Sequence, residues 1–212
     1  MFRNRLNLRK VIAIAICLAG GVTIFAQESG VEINGVMWAT CNVDAPNTFT
    51  ANPQDVGMFY QWNRKIGWNV NSPLINSDGG STWDNSNAPG QRWEKANDPS
   101  PVGWRVPTLN EIKALCDYNK VSNEWATQSG INGRKFIDKT TGNTLFLPAA
   151  GCRSGIVGAP SVVDIFGYYW SSEGGNYDDA FLFSVNSEEA RWNFGGMYYD
   201  RSNAFSVRLV AE

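Results

Sequence analysis

At 212 residues, with 18 basic and 20 acidic side chains and a formal net charge of −2, the chain can bury one full core, and bulk charge offers nothing to nucleic acid. Histidine is absent. That excludes Ser-His and Cys-His nucleophiles, His-ligated catalytic zinc and the usual general base near neutral pH, leaving carboxylate or lysine chemistry if there is any.

Arg3, Arg5, Arg9 and Lys10 precede an apolar run from Val11 to Ala26. This is the arrangement of a secretory signal peptide, with cleavage expected between Ala26 and Gln27. The run falls short of the ~20 residues a spanning helix needs, and Gly20-Gly21 interrupts it, so no membrane insertion is expected after signal removal. Ile16, bulky before Cys17, disfavours lipoprotein processing. Residues 27–212 then form a single exported domain, more acidic than the whole chain because the signal carries only positive charge.

Val31-Glu32-Ile33, Asn34-Gly35 and Val36-Met37-Trp38-Ala39 spell a β-hairpin, with Asn-Gly supplying two positive-φ positions of a type I′ turn. Asp44 to Asp98 is rich in Asn, Pro, Gly, Ser and Trp. Its tryptophans Trp62, Trp68, Trp83 and Trp93 predict an ordered loop rather than disorder, and Gly57–Trp62 predicts a short strand or helix within it. Thr108 with Glu111 forms a capping box, Pro107 keeps the entry extended, and Leu109, Ile112, Leu115 and Cys116 follow at helical spacing. One helix over about 108–119 is predicted, and it is the element on which the sheet should pack. Strands are predicted at Asn132–Phe136, Thr144–Pro148, Tyr168–Ser171, Ala180–Val185 and Ala204–Val210, with Arg191–Phe194 as a further candidate. In the last full strand Phe205, Val207 and Leu209 alternate with Ser206, Arg208 and Val210, which reads as one buried face and one solvated face.

Four ordered motifs carry a family resemblance: Asn97-Asp98-Pro99-Ser100-Pro101 into Gly103-Trp104-Arg105-Val106-Pro107-Thr108, Phe146-Leu147-Pro148-Ala149-Ala150-Gly151, Tyr168-Tyr169-Trp170-Ser171-Ser172, and Ser206-Val207-Arg208. From Ile33 to the end the chain resembles the major-paralogous (FISUMP) domain first named from Fibrobacter succinogenes and abundant in exported proteins of Bacteroidetes. The resemblance implies a C-type-lectin-like fold: α+β, with mixed, mostly antiparallel short-stranded sheets, one marked helix and long ordered loops. It implies no agreed activity. Many members carry Cys where Ser100 stands here.

Without Cys17, three cysteines remain, Cys41, Cys116 and Cys152, and the plain reading is one disulfide and one buried thiol, in any pairing. Their spacing fits no zinc motif. Gly151-Cys152-Arg153-Ser154-Gly155 is not a nucleophile elbow, since its serine sits one place late. Asp164, Asp178, Asp179, Asp200, Glu188 and Glu189 offer hard oxygens for calcium, and Trp83-Asp84-Asn85 superficially matches the lectin Trp-Asn-Asp signature with Asp and Asn exchanged; no acidic residue stands in an EF-hand loop, so no cofactor is expected. Trp38, Trp104 and Trp170 lie inside motifs or strands and read as core, whereas Trp83, Trp93 and Trp192 lie among polar residues and read as exposed. Tyr198 and Tyr199 near Asn176 and Asp178 give a composition like that of antibody loops. The expected function is a non-catalytic adhesion or binding module, secreted or at the cell surface. It would take a glycan or protein partner through Trp83, Trp93, Asn176, Asp178, Trp192, Tyr198 and Tyr199. The alternatives are an enzyme of the sulfatase-modifying (formylglycine-generating) type, which needs a close cysteine pair, and a two-carboxylate glycosidase.

Overall fold

The computed structural model describes residues 30–176, 178–192 and 199–212. The expected signal segment 1–26, Tyr177, Tyr198 and the stretch Asn193–Phe194 therefore lie outside the described residues. Within them the fold is α+β, four mostly antiparallel sheets around one α-helix. No described helix is long and apolar enough to cross a membrane.

The hairpin forms as its turn chemistry requires. Val31–Ile33 pairs with Val36–Asn42 in the register Ile33↔Val36, and Asn34 (φ 48°) and Gly35 (φ 77°) take the two left-handed positions. Asn34 does more than turn the chain. Its N–H donates to Asp138 Oδ2 at 2.7 Å and its side-chain amide to the Ala114 carbonyl at 2.9 Å, tying the hairpin to the helix and to a neighbouring sheet.

The helix, α1, runs Leu109–Leu115 and buries Leu109, Ile112 and Leu115. Both halves of the capping box are present: Glu111 N–H donates to Thr108 Oγ1 at 3.3 Å, and Thr108 N–H to Glu111 Oε2 at 2.7 Å. Arg105 grips the same carboxylate from the preceding strand, at 2.5 and 2.9 Å. The helix ends earlier than its apolar spacing suggests. Asp117 stops it, because its side chain accepts from Asn119 N–H and its carbonyl from the N–H groups of Lys120 and Val121, turning the chain into a strand. As expected, α1 packs on a sheet, the one formed by Gly167–Gly174, Asp179–Val185 and Ala190–Trp192.

The chain ends meet. Arg208–Ala211 lies between Val36–Asn42 and Trp104–Arg105. Its neighbour Ala204–Phe205 pairs with Phe59–Gln61 in a second sheet, so one continuous stretch serves two sheets. The predicted solvated face is corrected: Ser206, Arg208 and Val210 are as buried as Phe205, Val207 and Leu209. Arg208 tolerates this because its guanidinium donates to Asn42 Oδ1 at 2.9 Å and to the Ala39 and Thr40 carbonyls.

Val121–Gln128 is a strand that sequence reasoning missed. It pairs along its whole length with Ile131–Asp138, which pairs in turn with Thr144–Pro148. Its residues Val-Ser-Asn-Glu-Trp-Ala-Thr-Gln carry few β-branched groups and little apolar alternation. The Ser129-Gly130 turn, at φ 49° and 83°, sets the pairing instead.

The four motifs converge on one another. Ser172 N–H donates to the Pro107 carbonyl, Trp170 N–H to that of Ser206, Ser206 N–H to that of Tyr168, and Tyr169 Oη to that of Pro148. Trp170 is fully buried, donates Nε1–H to the Tyr60 carbonyl at 2.7 Å and packs 4.3 Å from the Phe205 ring. The motifs are scaffold. The expected disulfide is also corrected: no bridge joins Cys41, Cys116 and Cys152, and Cys116 and Cys152 pack into different apolar clusters.

Candidate functional site

The sequence-predicted site residues do not assemble into one aromatic wall. Trp93 is 8% exposed, its ring 6.0 Å from Trp62 and its Nε1–H donated to the Asn97 carbonyl, so its expected exposure is corrected. Trp83 leans on Trp68 at 4.9 Å and donates Nε1–H to the Gly155 carbonyl at 2.8 Å. Gly158 lies beneath its ring, where a Cβ would come within 2.7 Å. Both indoles took their partners from backbone carbonyls, one at the end of the short 3-10 helix Lys95–Asn97 and one in a turn, a satisfaction that composition cannot reveal.

Trp192 and Tyr199 lie on opposite faces of one sheet. Trp192 stands opposite Phe183, and Tyr199 opposite Ala180; positions three apart on a strand face opposite ways. Trp192 accordingly meets α1, with Lys113 Nζ 4.4 Å above its ring, and is 38% exposed. Tyr199 packs on Tyr168 at 5.4 Å and Phe205 at 5.6 Å in the other core cluster. Asn176 and Asp178 are exposed on the turn joining Gly167–Gly174 to Asp179–Val185, and their carbonyls accept from the N–H groups of Asp179 and Arg201.

That turn adjoins the long irregular segment through Arg201. Its guanidinium donates to the carbonyls of Asp179, Ala88 and Gly90, and stacks 4.2 Å from Trp62. Beside this clamp lies a cleft of about 460 Å³, lined by Asn63, Arg64, Ser86, Asn87, Glu94 and Asn97 among others. Asn63, at φ 55°, organises it: its amide donates to the Pro89 carbonyl at 3.1 Å, and its Oδ1 accepts from Glu94 N–H at 2.8 Å and Asn97 Nδ2 at 3.2 Å. Arg64 spans the other side, pairing with Asp84 at 2.7 Å and donating to the Ser86 carbonyl at 3.0 Å and its hydroxyl at 2.8 Å.

Two polar atoms of these lining residues are buried and take no partner: Arg64 Nε and Asn87 Oδ1. Sequence reasoning missed this cleft, because its residues are spread over 63–97 with no motif spacing. Asp84, from the lectin-like triplet, is committed to structure. Ser86, through its hydroxyl and N–H, and then Arg64 hold its carboxyl below the usual range. Among the described residues no group of three or more Asp, Glu or Cys side chains converges as a metal site.

Cys116 and Cys152 are disfavoured as nucleophiles at neutral pH. Burial pushes the Cys116 thiol up to about 12, against a smaller opposing effect of the Trp192 backbone, and pushes Cys152 up to about 11. Both are protonated at neutral pH, whereas the nucleophile is the thiolate. No family model matches the chain, and neither the curated proteins nor the solved structures contain a match.

Proposed function

We propose that the protein is a non-catalytic binding module, exported or held at the cell surface, which takes a glycan in the cleft of Asn63, Arg64, Asn87, Glu94 and Asn97. The observation that carries this reading is the pair of unpartnered polar atoms, Arg64 Nε and Asn87 Oδ1. The first needs an acceptor and the second a donor. A hydroxyl is both, so a polyol can serve either group where a purely apolar ligand would leave both unpaired. The non-catalytic part is supported by the absence of histidine and by two protonated thiols in separate clusters. Membership of the Fibrobacter succinogenes major-paralogous family and a C-type-lectin-like fold belong to the same proposal. They are supported by the four motifs, which bond to one another, and by the closure of the chain ends in one sheet.

A glycan array probed with the protein tests the reading, followed by titration of any hit against Asn87→Ala. Loss of one charge-independent hydrogen bond costs about 1 kcal/mol, so affinity should fall roughly fivefold while the melting temperature holds. An array without hits, or a hit that Asn87→Ala leaves unaltered, sinks the proposal.

One observation favours a second reading, a protein partner. The loop from Ser154 to Phe166 exposes Ile156, Val157, Val163 and Ile165, each more than half accessible. Branched aliphatics gathered on one loop are the composition of a docking surface. Binding that survives Asn87→Ala but fails in Ile156→Ser with Val157→Ser selects it.

A further inference from the structure

The sheet edges of this molecule are nearly all short or covered. The strands at the edges of the first two sheets span two or three residues each, and one of them, Pro160–Ser161, begins with proline. Gly167–Gly174 is long, yet its outer side is occupied: Ser172 bonds Pro107 and Trp93, and Trp170 bonds Ser206. Thr144–Pro148 ends in proline. Val121–Gln128 is the exception, at 8 residues, without proline, bulge or lysine. These are the devices by which edge strands are normally blunted.

The ladder parity identifies which groups face outward. Gln128 and Ile131 flank a two-residue type I′ turn, so they exchange hydrogen bonds, as do Ala126 with Gly133, Glu124 with Lys135 and Ser122 with Ile137. Asn123, Trp125 and Thr127 therefore point their N–H and C=O groups away from the sheet. Two observations agree with this parity: Val121 N–H turns outward to the Asp117 carbonyl, and the Asn132 carbonyl turns the opposite way to Ala149 N–H. Among the described residues no group bonds the backbone of Asn123, Trp125 or Thr127.

We infer that Val121–Gln128 is a self-association edge, pairing antiparallel with the same strand of a second copy about a two-fold axis at Trp125, so that two three-stranded sheets become one. This centre pairs all three outward residues with outward residues, as an antiparallel ladder needs: Trp125 meets Trp125 and Asn123 meets Thr127, each pair exchanging two hydrogen bonds. Charge permits it. Glu124, the strand's single charge, falls opposite Ala126 and not opposite itself, so no like charges face each other across the axis. Trp125, half-buried in the single chain, gains an aromatic neighbour. This inference is independent of the glycan reading.

Sedimentation velocity over a range of concentrations tests it. The protein should move from one to two chain masses, and Thr127→Pro should hold it at one while still folding, at the cost of one exposed bond, Thr127 Oγ1 to Asn132 Oδ1 at 2.7 Å, since the Thr127 N–H takes no part in the single chain's ladder. If Thr127→Pro fails to fold, Trp125→Arg, which sets two cations face to face at the axis, takes its place with the same expected loss. The register is read by cross-linking. Cα atoms of a hydrogen-bonded antiparallel pair lie ~5.5 Å apart, within disulfide reach, so Trp125→Cys should form a covalent dimer under mild oxidation while Glu124→Cys does not. A single chain mass at every concentration overturns the inference, and so does a dimer that persists in the edge variants or cross-links equally through either cysteine.

Discussion

The sheet that closes the chain and the irregular segment 44–98 are both ordered, by different means. In the first, backbone answers backbone: Arg208–Ala211 lies between Val36–Asn42 and Trp104–Arg105. In the second, outside the strand Phe59–Gln61, side chains from distant parts of the chain answer the backbone. Arg153 donates to the carbonyls of Asn69 and Asn71, and Arg201 to those of Ala88 and Gly90. A loop can thus be as ordered as a sheet when planar, multi-donor side chains satisfy the carbonyls that no ladder reaches.

The largest effect should come from removing one of those clamps. Arg201→Ala deletes charged hydrogen bonds to three carbonyls and the stacking on Trp62, and charged hydrogen bonds count for more than neutral ones, so a loss of roughly 3 kcal/mol is expected. The damage should begin in the segment that the clamp holds. Hydrogen exchange should rise first in 84–94, with the ladder of Val36–Asn42 affected only through global unfolding. Uniform acceleration in both regions would show that the segment is part of the sheet's cooperative unit, and the distinction would collapse.

This difference also decides what the sequence made legible. The Asn34-Gly35 hairpin, the Thr108 cap and the Thr144–Pro148 and Ala180–Val185 strands follow from local patterns, and all are present. The site was not legible in the same way. Trp93 and Trp83 sit among polar neighbours in sequence, yet Trp62, 31 residues away, packs on the first and the Gly155 carbonyl, 72 residues away, takes the indole N–H of the second; Trp192 and Tyr199 are close along the chain, yet opposite sides of a strand separate them. The cleft depends on Asn63 reaching 26 residues along the chain to Pro89 and more than 30 to Asn97, contacts that no periodicity encodes.

A middle-sized effect belongs to the helix cap. Thr108→Ala removes the acceptor for Glu111 N–H and one donor to the Glu111 carboxylate, so stability should fall by about 1 kcal/mol with 84–94 undisturbed. Burial alone would raise the Glu111 carboxyl, but the donors on Arg105 and Thr108 more than offset it and hold it low. A carboxyl lowered on folding stabilises above its unfolded value and loses that contribution as pH falls through its folded value. The cost of Thr108→Ala at pH 7 should therefore shrink on acidification below ~4, and thermal melts at both pH values read it.

The smallest effect carries the opposite sign and comes from the turn beside the Arg201 clamp. Asp179 stands directly across from Asp200, a like-charge pair in one ladder. Partial burial first, then Asp200 and Asp178, raise the Asp179 carboxyl above its usual value, with Arg201 pulling the other way. A carboxyl raised on folding binds its proton more tightly in the folded chain, so its ionisation opposes folding once pH passes the ordinary carboxylate value of ~4. Asp179→Asn keeps the size and the backbone carbonyl that Arg201 uses, and removes only the charge. It should raise stability at pH 7 by on the order of 0.5 kcal/mol after solvent screening, less at high salt, and the gain should vanish below pH ~4, where Asp179 is protonated in both states. Scanning calorimetry of the two proteins at both pH values measures it. A variant that melts lower at pH 7 would mean that the Asp179 charge itself holds Arg201 in place, and the clamp would then depend on an ion pair rather than on carbonyls alone.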